Sequence, residues 1–308
     1  MPHIDIRGVP HFYRWVTAAG QTADDTAAEN PSEDAISQHR PTKPVMVFIH
    51  GWGGSLRYWL STAQSLTDRF DCLLYDLRGF GQSRLPRPLS PDVAALGYEL
   101  EGYADDLALL LDHLGLERIY LNAHSTGASV AVLFLNRYGD RVHRAVLTCS
   151  GIFEYVPWAF KLFHQASRGV VALRPAWLSR LPGVDRLFMT RFLYRPIPKL
   201  ERIAFLEDYL LADGEAAMGT VYTAVSQQAA EVMPKEFAAL QVPTLLVSGE
   251  HDQIIPAQLG TNAAALNPRI EQVTISDTAH FPMLEDPEVY RRHLASFLSP
   301  VRLQNELS

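Results

Sequence analysis

The chain has little cysteine: two in 308 residues, Cys72 and Cys149. Two cannot build a disulfide framework. Each sits in or at the end of a strand-like run, "DCLLYDL" and "RAVLTCS", and reads as a buried free thiol in a reducing compartment. Long apolar runs are also missing. No stretch approaches the roughly 20 residues that a membrane-spanning helix needs. The N-terminus "MPHIDIRGVPHFYRW" lacks a basic segment followed by an apolar one, so no secretory leader is expected. Positive charge is in deficit. The 27 Lys and Arg face 34 Asp and Glu, a formal net charge of −7, which argues against a nucleic-acid partner. The histidines form no closely spaced ligand set, so neither a metal nor a cofactor is expected. These absences leave a cytoplasmic globular protein, attached to a membrane peripherally if at all.

What is present is regular. "VMVFIH", "DCLLYDL", "RIYLNAH", "VHRAVLTCSG", "PTLLVSGEHD" and "IEQVTIS" are continuous apolar runs of strand length. Between them lie stretches with helical spacing: "RYWLSTAQSLTDRF", "YELEGYADDLALLLDHLG", "STGASVAVLFLNRYG", a segment near 257–266, and "DPEVYRRHLASFL". Alternation of this kind predicts an α/β fold, a mostly parallel central sheet with helices on both faces. Continuous rather than alternating apolar strands fit a sheet covered on both sides. Residues 3–18 hold two further short strands around a turn at Gly8-Val9-Pro10. Residues 19–43 are polar and acidic and read as an exposed loop. The alternation breaks over 153–235, which contains no convincing strand, several prolines and many aromatics. Residues 1–152 and 236–308 are therefore read as one core, interrupted by a helical insertion at 153–235. Asp105 and Asp106, on the polar side of their helix, are expected to be solvated.

Four short stretches fall at or just after the C-terminal ends of strands, where open α/β sheets gather ligands: "HGWGGS", "AHSTG", "GEHD" and "TAHFPMLEDP". Ser125 lies at a strand-to-helix turn that would raise its hydroxyl above the sheet. Small residues two before and two after, Ala123 and Gly127, let strand and helix approach. A serine hydroxyl is a weak nucleophile until a base takes its proton. His280 is the candidate base. Asp252 is the candidate orienter of its ring, with Glu250 two residues away as the alternative. His50 is expected to stabilise its own loop, His124 to pack or hydrogen-bond, and Asp76 and Arg78 to fix a loop.

With these stretches assembled, the chain resembles the α/β-hydrolase fold superfamily, in its serine-nucleophile branch with a helical cap. The likeness runs from about residue 44 to 300. "HGWGGS" resembles the family's oxyanion loop, "DLRGFGQS" its Asp-x-Arg-Gly-x-Gly-x-Ser loop, and "AHSTG" its nucleophile elbow. The resemblance implies that the N–H groups of Trp52 and Thr126 form the oxyanion hole, and that 153–235 is the cap. Ala123 and Ala128 depart from the family's glycines by one methyl each. A serine nucleophile argues against the dehalogenase and epoxide hydrolase branches. The region after the preceding strand, "TCSGIF", offers no carboxylate before Glu154, which favours Asp252 as the acid.

From Lys161 to Arg202 there are nine basic and two acidic residues, +7 in a chain of −7, so the remainder carries −14. The same stretch is rich in aromatics. One reading is an insertion whose apolar face packs on the sheet while its charges meet water. The other is a basic amphipathic surface that contacts an anionic membrane. The expected activity is cleavage of a carboxylic ester with a lipophilic substrate, lined by Trp52, Phe188 and Phe192. An acyltransferase, a C–C bond hydrolase and a ligand receptor with a retained triad are the alternatives. Oligomeric state is not legible in the sequence.

Overall fold

The computed structural model describes residues 2–18 and 40–299. Most of the acidic loop expected at 19–43 lies outside the described residues. Eight strands form one sheet: β1 (His3–Ile6), β2 (Val9–Val16), β3 (Val45–Ile49), β4 (Asp71–Tyr75), β5 (Ile119–His124), β6 (Val142–Thr148), β7 (Thr244–Gly249) and β8 (Ile270–Ile275). Their order is β1-β2-β4-β3-β5-β6-β7-β8. From β4 to β8 every pairing is parallel; β2 pairs antiparallel with β4, and β1 antiparallel with β2. The N-terminal turn falls at Arg7-Gly8, one residue before the expected one, because Gly8 at φ 82 supplies the left-handed position.

Strand periodicity of two assigns successive side chains to opposite cores. Val45, Val47 and Ile49 enter the first core. Met46 and Phe48 enter the second. The first core is closed by α3 (Leu100–His113), α4 (Thr126–Arg137) and α9 (Gln227–Ala239), which contribute Leu107, Leu111, Val130, Phe134 and Phe237. The second is closed by the short helix α1 (Leu60–Gln64) with the 3-10 turn Leu56–Trp59 before it, and by α12 (Pro287–Phe297). The long helix expected over 57–70 is thus two short ones, and Phe70 turns inward at the foot of β4. α3 ends where its sequence says: Gly115 takes φ 64, and Leu116 N–H reaches back to Leu111 O at 2.9 Å. Pro91–Ala95 forms α2.

Asp106 overturns an expectation. It is buried, not solvated, and accepts from Arg78 Nε at 2.9 Å; Arg7 lies 3.6 Å away. The buried Arg78 guanidinium needs an anion, and the helix turns Asp106 inward to supply it. Asp105 is half-buried and pairs with Arg137 at 2.9 Å.

Between β6 and β7 the described residues contain helices and no strand: α5 (Pro157–Ala172), α6 (Val184–Met189), α7 (Lys199–Leu211), α8 (Gly214–Ala224) and α9. α9 runs through the boundary drawn at residue 235, and its Met233 and Phe237 belong to the sheet's first core. After β7 come α10 (Ala257–Ala264) and α11 (Pro282–Glu285). No helix among the described residues is long and apolar enough to cross a membrane.

Candidate active site

Parallel strands bring their C-terminal ends to one edge of the sheet, and the loops that leave them meet there. The loop after β3 is set first. His50 is fully buried; its Nδ1 donates to Gly51 O at 2.8 Å and its Nε2 accepts from Leu77 N–H at 2.9 Å. Burial lowers its pKa to about 4. Gly51 then lies against the next loop: a Cβ there would stand 2.9 Å from Ser125 Cβ. Asp76, buried, accepts from Leu56 N–H at 2.7 Å and Gln82 N–H at 2.8 Å, and burial raises its pKa to about 7. Asp76 and Arg78 are loop-fixing groups, as expected of them.

His50 sets a pH test. An unfolded imidazole titrates near ~6.5 and the folded one near 4, so below ~6.5 the unfolded chain binds more protons. Its contribution to stability is complete above that value and is lost as pH falls toward 4. Between pH ~6.5 and ~4.5 the loss amounts to about 2 kcal/mol. His50→Asn is expected to lose about 2 kcal/mol less than the parent over that interval, in urea melts at the two pH values. Equal losses would show that His50 does not carry the effect.

β5 runs into α4 through Ser125, whose φ 54 and ψ −124 lie outside the regions L-residues favour. The strained turn is held by Ser125 N–H on Thr148 O at 2.9 Å and by Ala128 N–H on Ser125 O at 2.8 Å. The two small neighbours are not equivalent. A Cβ at Gly127 would lie 2.3 Å from His50 O, a backbone atom, so glycine is required there. Ala123 carries its methyl fully buried in the first core, where room exists for it.

His280 arrives from the loop after β8, and its Nε2 stands 3.0 Å from Ser125 Oγ. Its Nδ1 stands 2.7 Å from Asp252 Oδ2. Asp252 Oδ1 accepts from Ile254 and Ile255 N–H at 2.7 and 3.0 Å. Burial alone would push the Asp252 carboxyl up; the adjacent His280 ring and these two N–H groups outweigh it and hold the pKa below its ordinary value. Glu250 points elsewhere: it is exposed and accepts from Asp277 N–H. The structure therefore brings Ser125, His280 and Asp252 together and leaves Glu250 out.

Trp52 follows Gly51 in the loop pressed on the Ser125 turn, and Thr126 follows Ser125 as the first residue of α4. Neither backbone N–H has an acceptor among the described residues. The Trp52 indole donates to Ala217 O at 2.8 Å and lies 5.8 Å from the Tyr209 ring, which ties this loop to the insertion. Phe192 stands 6.1 Å from the His280 ring and 5.8 Å from Phe188, and Phe188 is 4.7 Å from Tyr209. The three pocket residues chosen from sequence thus fall in one aromatic group beside Ser125 and His280. Tyr209 and Phe205 belong to it as well and were not anticipated.

Further contacts hold His280, and His124 hydrogen-bonds among them, as expected of it. Phe192 O accepts from the His280 N–H at 2.9 Å. The His280 carbonyl accepts from His124 Nε2 at 2.7 Å, which leaves His124 Nδ1 as an acceptor for Tyr58 O–H at 3.0 Å. Tyr58 O in turn accepts from Gly51 N–H. Burial and the nearby His280 keep His124 neutral, its pKa well below the ordinary value, as this pattern demands. Cys149 lies near His124 and His280, but burial raises its thiol pKa, and both His124 nitrogens are already bonded. At the surface Glu250, His251 and Asp277 approach one another; Asp277 faces Arg195 at 3.2 Å and His251 stacks on Tyr194.

The model of the α/β-hydrolase fold matches residues 44–287. The chain belongs to that family. An α/β-hydrolase of this architecture has relatives at modest identity. One is an uncharacterized protein of Mycobacterium tuberculosis, 27% identical over 255 residues, covering 79% of this chain and 72% of the relative. Another is a putative carbamate hydrolase, RutD, of Pseudomonas savastanoi, 27% identical over 260 residues, covering 83% of this chain and 94% of the relative. Among solved structures, the enol-lactonase of Burkholderia xenovorans superposes with a TM-score of 0.72 at 19% identity, over 97% of this chain and all of that one (100%). At that identity the superposition speaks for the fold alone.

Proposed function

We propose that this α/β-hydrolase is a serine hydrolase that cleaves carboxylic esters through an acyl-enzyme. One observation carries the reading: Ser125 Oγ, on a strained turn, lies 3.0 Å from His280 Nε2, whose other nitrogen lies 2.7 Å from Asp252. In this mechanism Ser125 Oγ bonds to the carbonyl carbon while His280 takes its proton. The carbonyl π electrons move to oxygen, and the N–H groups of Trp52 and Thr126 receive that oxyanion, helped by the N-terminus of α4. The tetrahedral species collapses, the C–O bond breaks, and His280 passes its proton to the departing alkoxide. Water then attacks the acyl carbon, with His280 as base, and Ser125 leaves with its proton restored. Asp252 holds the ring in the useful tautomer and stabilises its charged form. Trp52, Phe188 and Phe192 favour a lipophilic acyl or alcohol group, and 153–235 serves as the cap that presents two of them. The relatives' names, carbamate hydrolase and enol-lactonase, fit the same attack on an acyl carbonyl.

A fluorophosphonate probe and a panel of p-nitrophenyl esters test the reading. The probe is expected to label the wild type and not Ser125→Ala, and kcat/KM is expected to rise from acetyl to octanoyl. Labelling that persists in the variant would sink the nucleophile assignment. A steep preference for acetyl would sink the lipophilic substrate. Transfer to an added alcohol in preference to water would favour the acyltransferase.

A further inference from the structure

The insertion does not turn its whole apolar side to the sheet. α5 packs on α8 and buries Ser167 and Val171. Its outward side carries Trp158, Leu162, Ala166 and Val170 at four-residue spacing, which places them along one stripe of the helix. Trp158 is 71% exposed, Leu162 58% and Val170 48%. The chain continues through Leu173, 75% exposed, to Trp177, 56% exposed, in the following 3-10 turn. A soluble surface seldom leaves two tryptophans and three large aliphatic residues this open in one short segment.

The charges on α5 itself have one sign. Lys161 and Arg168 lie on the neighbouring face of α5, and Arg180 closes the turn. Further along the insertion, Arg186, Arg191 and Lys199 are exposed as well. Among the described residues, Lys161, Arg180, Arg186, Arg191 and Lys199 have no ion-pair partner, and Arg168 leans on the Tyr222 ring and hydroxyl. The carboxylates that do pair in this region are taken: Asp185 by Arg202, and Asp277 and Asp286 by Arg195. The segment Lys161–Arg202 carries +7 in a chain of −7, so this stretch is locally basic in an acidic protein.

We infer that the outward face of α5 and the turn after it seat this protein on an anionic lipid bilayer, with Trp158 and Trp177 in the headgroup region and the basic residues on lipid phosphates. A helix with aromatic and aliphatic residues on one side and cations at its edge lies in the plane of such an interface. Tryptophan suits that depth because its ring is apolar and its N–H is not. A second copy of the chain fits the face poorly, because a two-fold contact would set Lys161, Arg168 and Arg180 against their own equivalents. The seat also touches the site. Tyr209 donates its hydroxyl to Val170 O, and its ring lies 5.8 Å from Trp52 and 4.7 Å from Phe188, so α5 is joined through Val170 to the aromatic group around His280.

The test needs no turnover, so it is independent of the hydrolytic reading, and Ser125→Ala is expected to bind as the wild type does. The full chain is floated with vesicles of phosphatidylcholine alone or with one third phosphatidylglycerol, at low and high salt. Binding is expected only with the anionic vesicles and is expected to fall at high salt. Lys161→Glu with Arg168→Glu, and separately Trp158→Ser with Trp177→Ser, are each expected to weaken binding by about tenfold or more. Circular dichroism of each variant checks that it is folded. In the wild type, tryptophan emission is expected to shift to the blue on binding. Failure to float with anionic vesicles at low salt would overturn the inference. So would folded variants that float unchanged, or a wild type that binds no vesicle and instead dimerises through this face in sedimentation.

Discussion

Ser125→Ala is expected to lower kcat/KM for an ester by about 10⁴-fold or more while the chain stays folded. The oxygen removed is the one 3.0 Å from His280 Nε2, and no other described side chain is placed to replace it. On the proposed mechanism what remains is binding and the two N–H groups of Trp52 and Thr126, which leave some rate above that of water. The loss should fall on kcat, because the hydroxyl acts on the reacting bond rather than on substrate binding. Stability supplies a second reading. Ser125 sits at φ 54 with ψ −124, where any side chain is strained, and glycine is not. Ser125→Gly is therefore expected to be more stable than Ser125→Ala by about 1 kcal/mol, with both inactive. The two variants separate a turn held for chemistry from one held for folding. Retention of more than about one hundredth of the wild-type rate by Ser125→Ala would refute the nucleophile, on the scale such losses take.

Gly249→Ala should damage the same site from a distance. Gly249 ends β7, and a Cβ there would lie 1.9 Å from Ala279 O, a backbone atom next to His280. The loop that carries His280 is stitched to the end of β7 by Glu250 N–H on Ile275 O and His251 N–H on Thr278 O. It cannot yield without breaking those bonds. Overpacking of this kind costs about 1–3 kcal/mol, and a displacement near 1 Å at the base costs on the order of 100-fold in rate. The expected variant is folded, less stable in urea by about that amount, and roughly a hundredfold slower. A change in stability with full activity would mean that the strain relaxes into β7 rather than into the His280 loop.

The elements that were legible in the sequence are those whose information is local. The apolar runs at 45–49, 71–75 and 244–249 are strands because β-branched and aliphatic residues alternate into two cores. α3 ends at Gly115 because only a left-handed residue closes that helix cheaply. Ser125, Asp252 and His280 could be named because strand-end turn chemistry repeats at each of them. The reading failed where the deciding partner lay far along the chain. Asp106 follows a helical rule for solvent exposure until Arg78, 28 residues earlier, claims it. The helix expected over 57–70 breaks because Tyr58 and Trp59 are drawn to His124 and Ile49 across the loop.

The amino-acid sequence by itself determined the alternation of core strands and helices, the turn at Ser125 and the basic character of the stretch Lys161–Arg202. All three follow from side-chain periodicity, turn residues and charge within short windows. Tertiary structure alone decided that Gly127 and not Ala123 is the indispensable small residue, and that α5 turns Trp158 outward. Each of these depends on which backbone or ring lies within a few ångströms from another part of the chain. No local pattern carries that distance; close packing of the whole chain sets it.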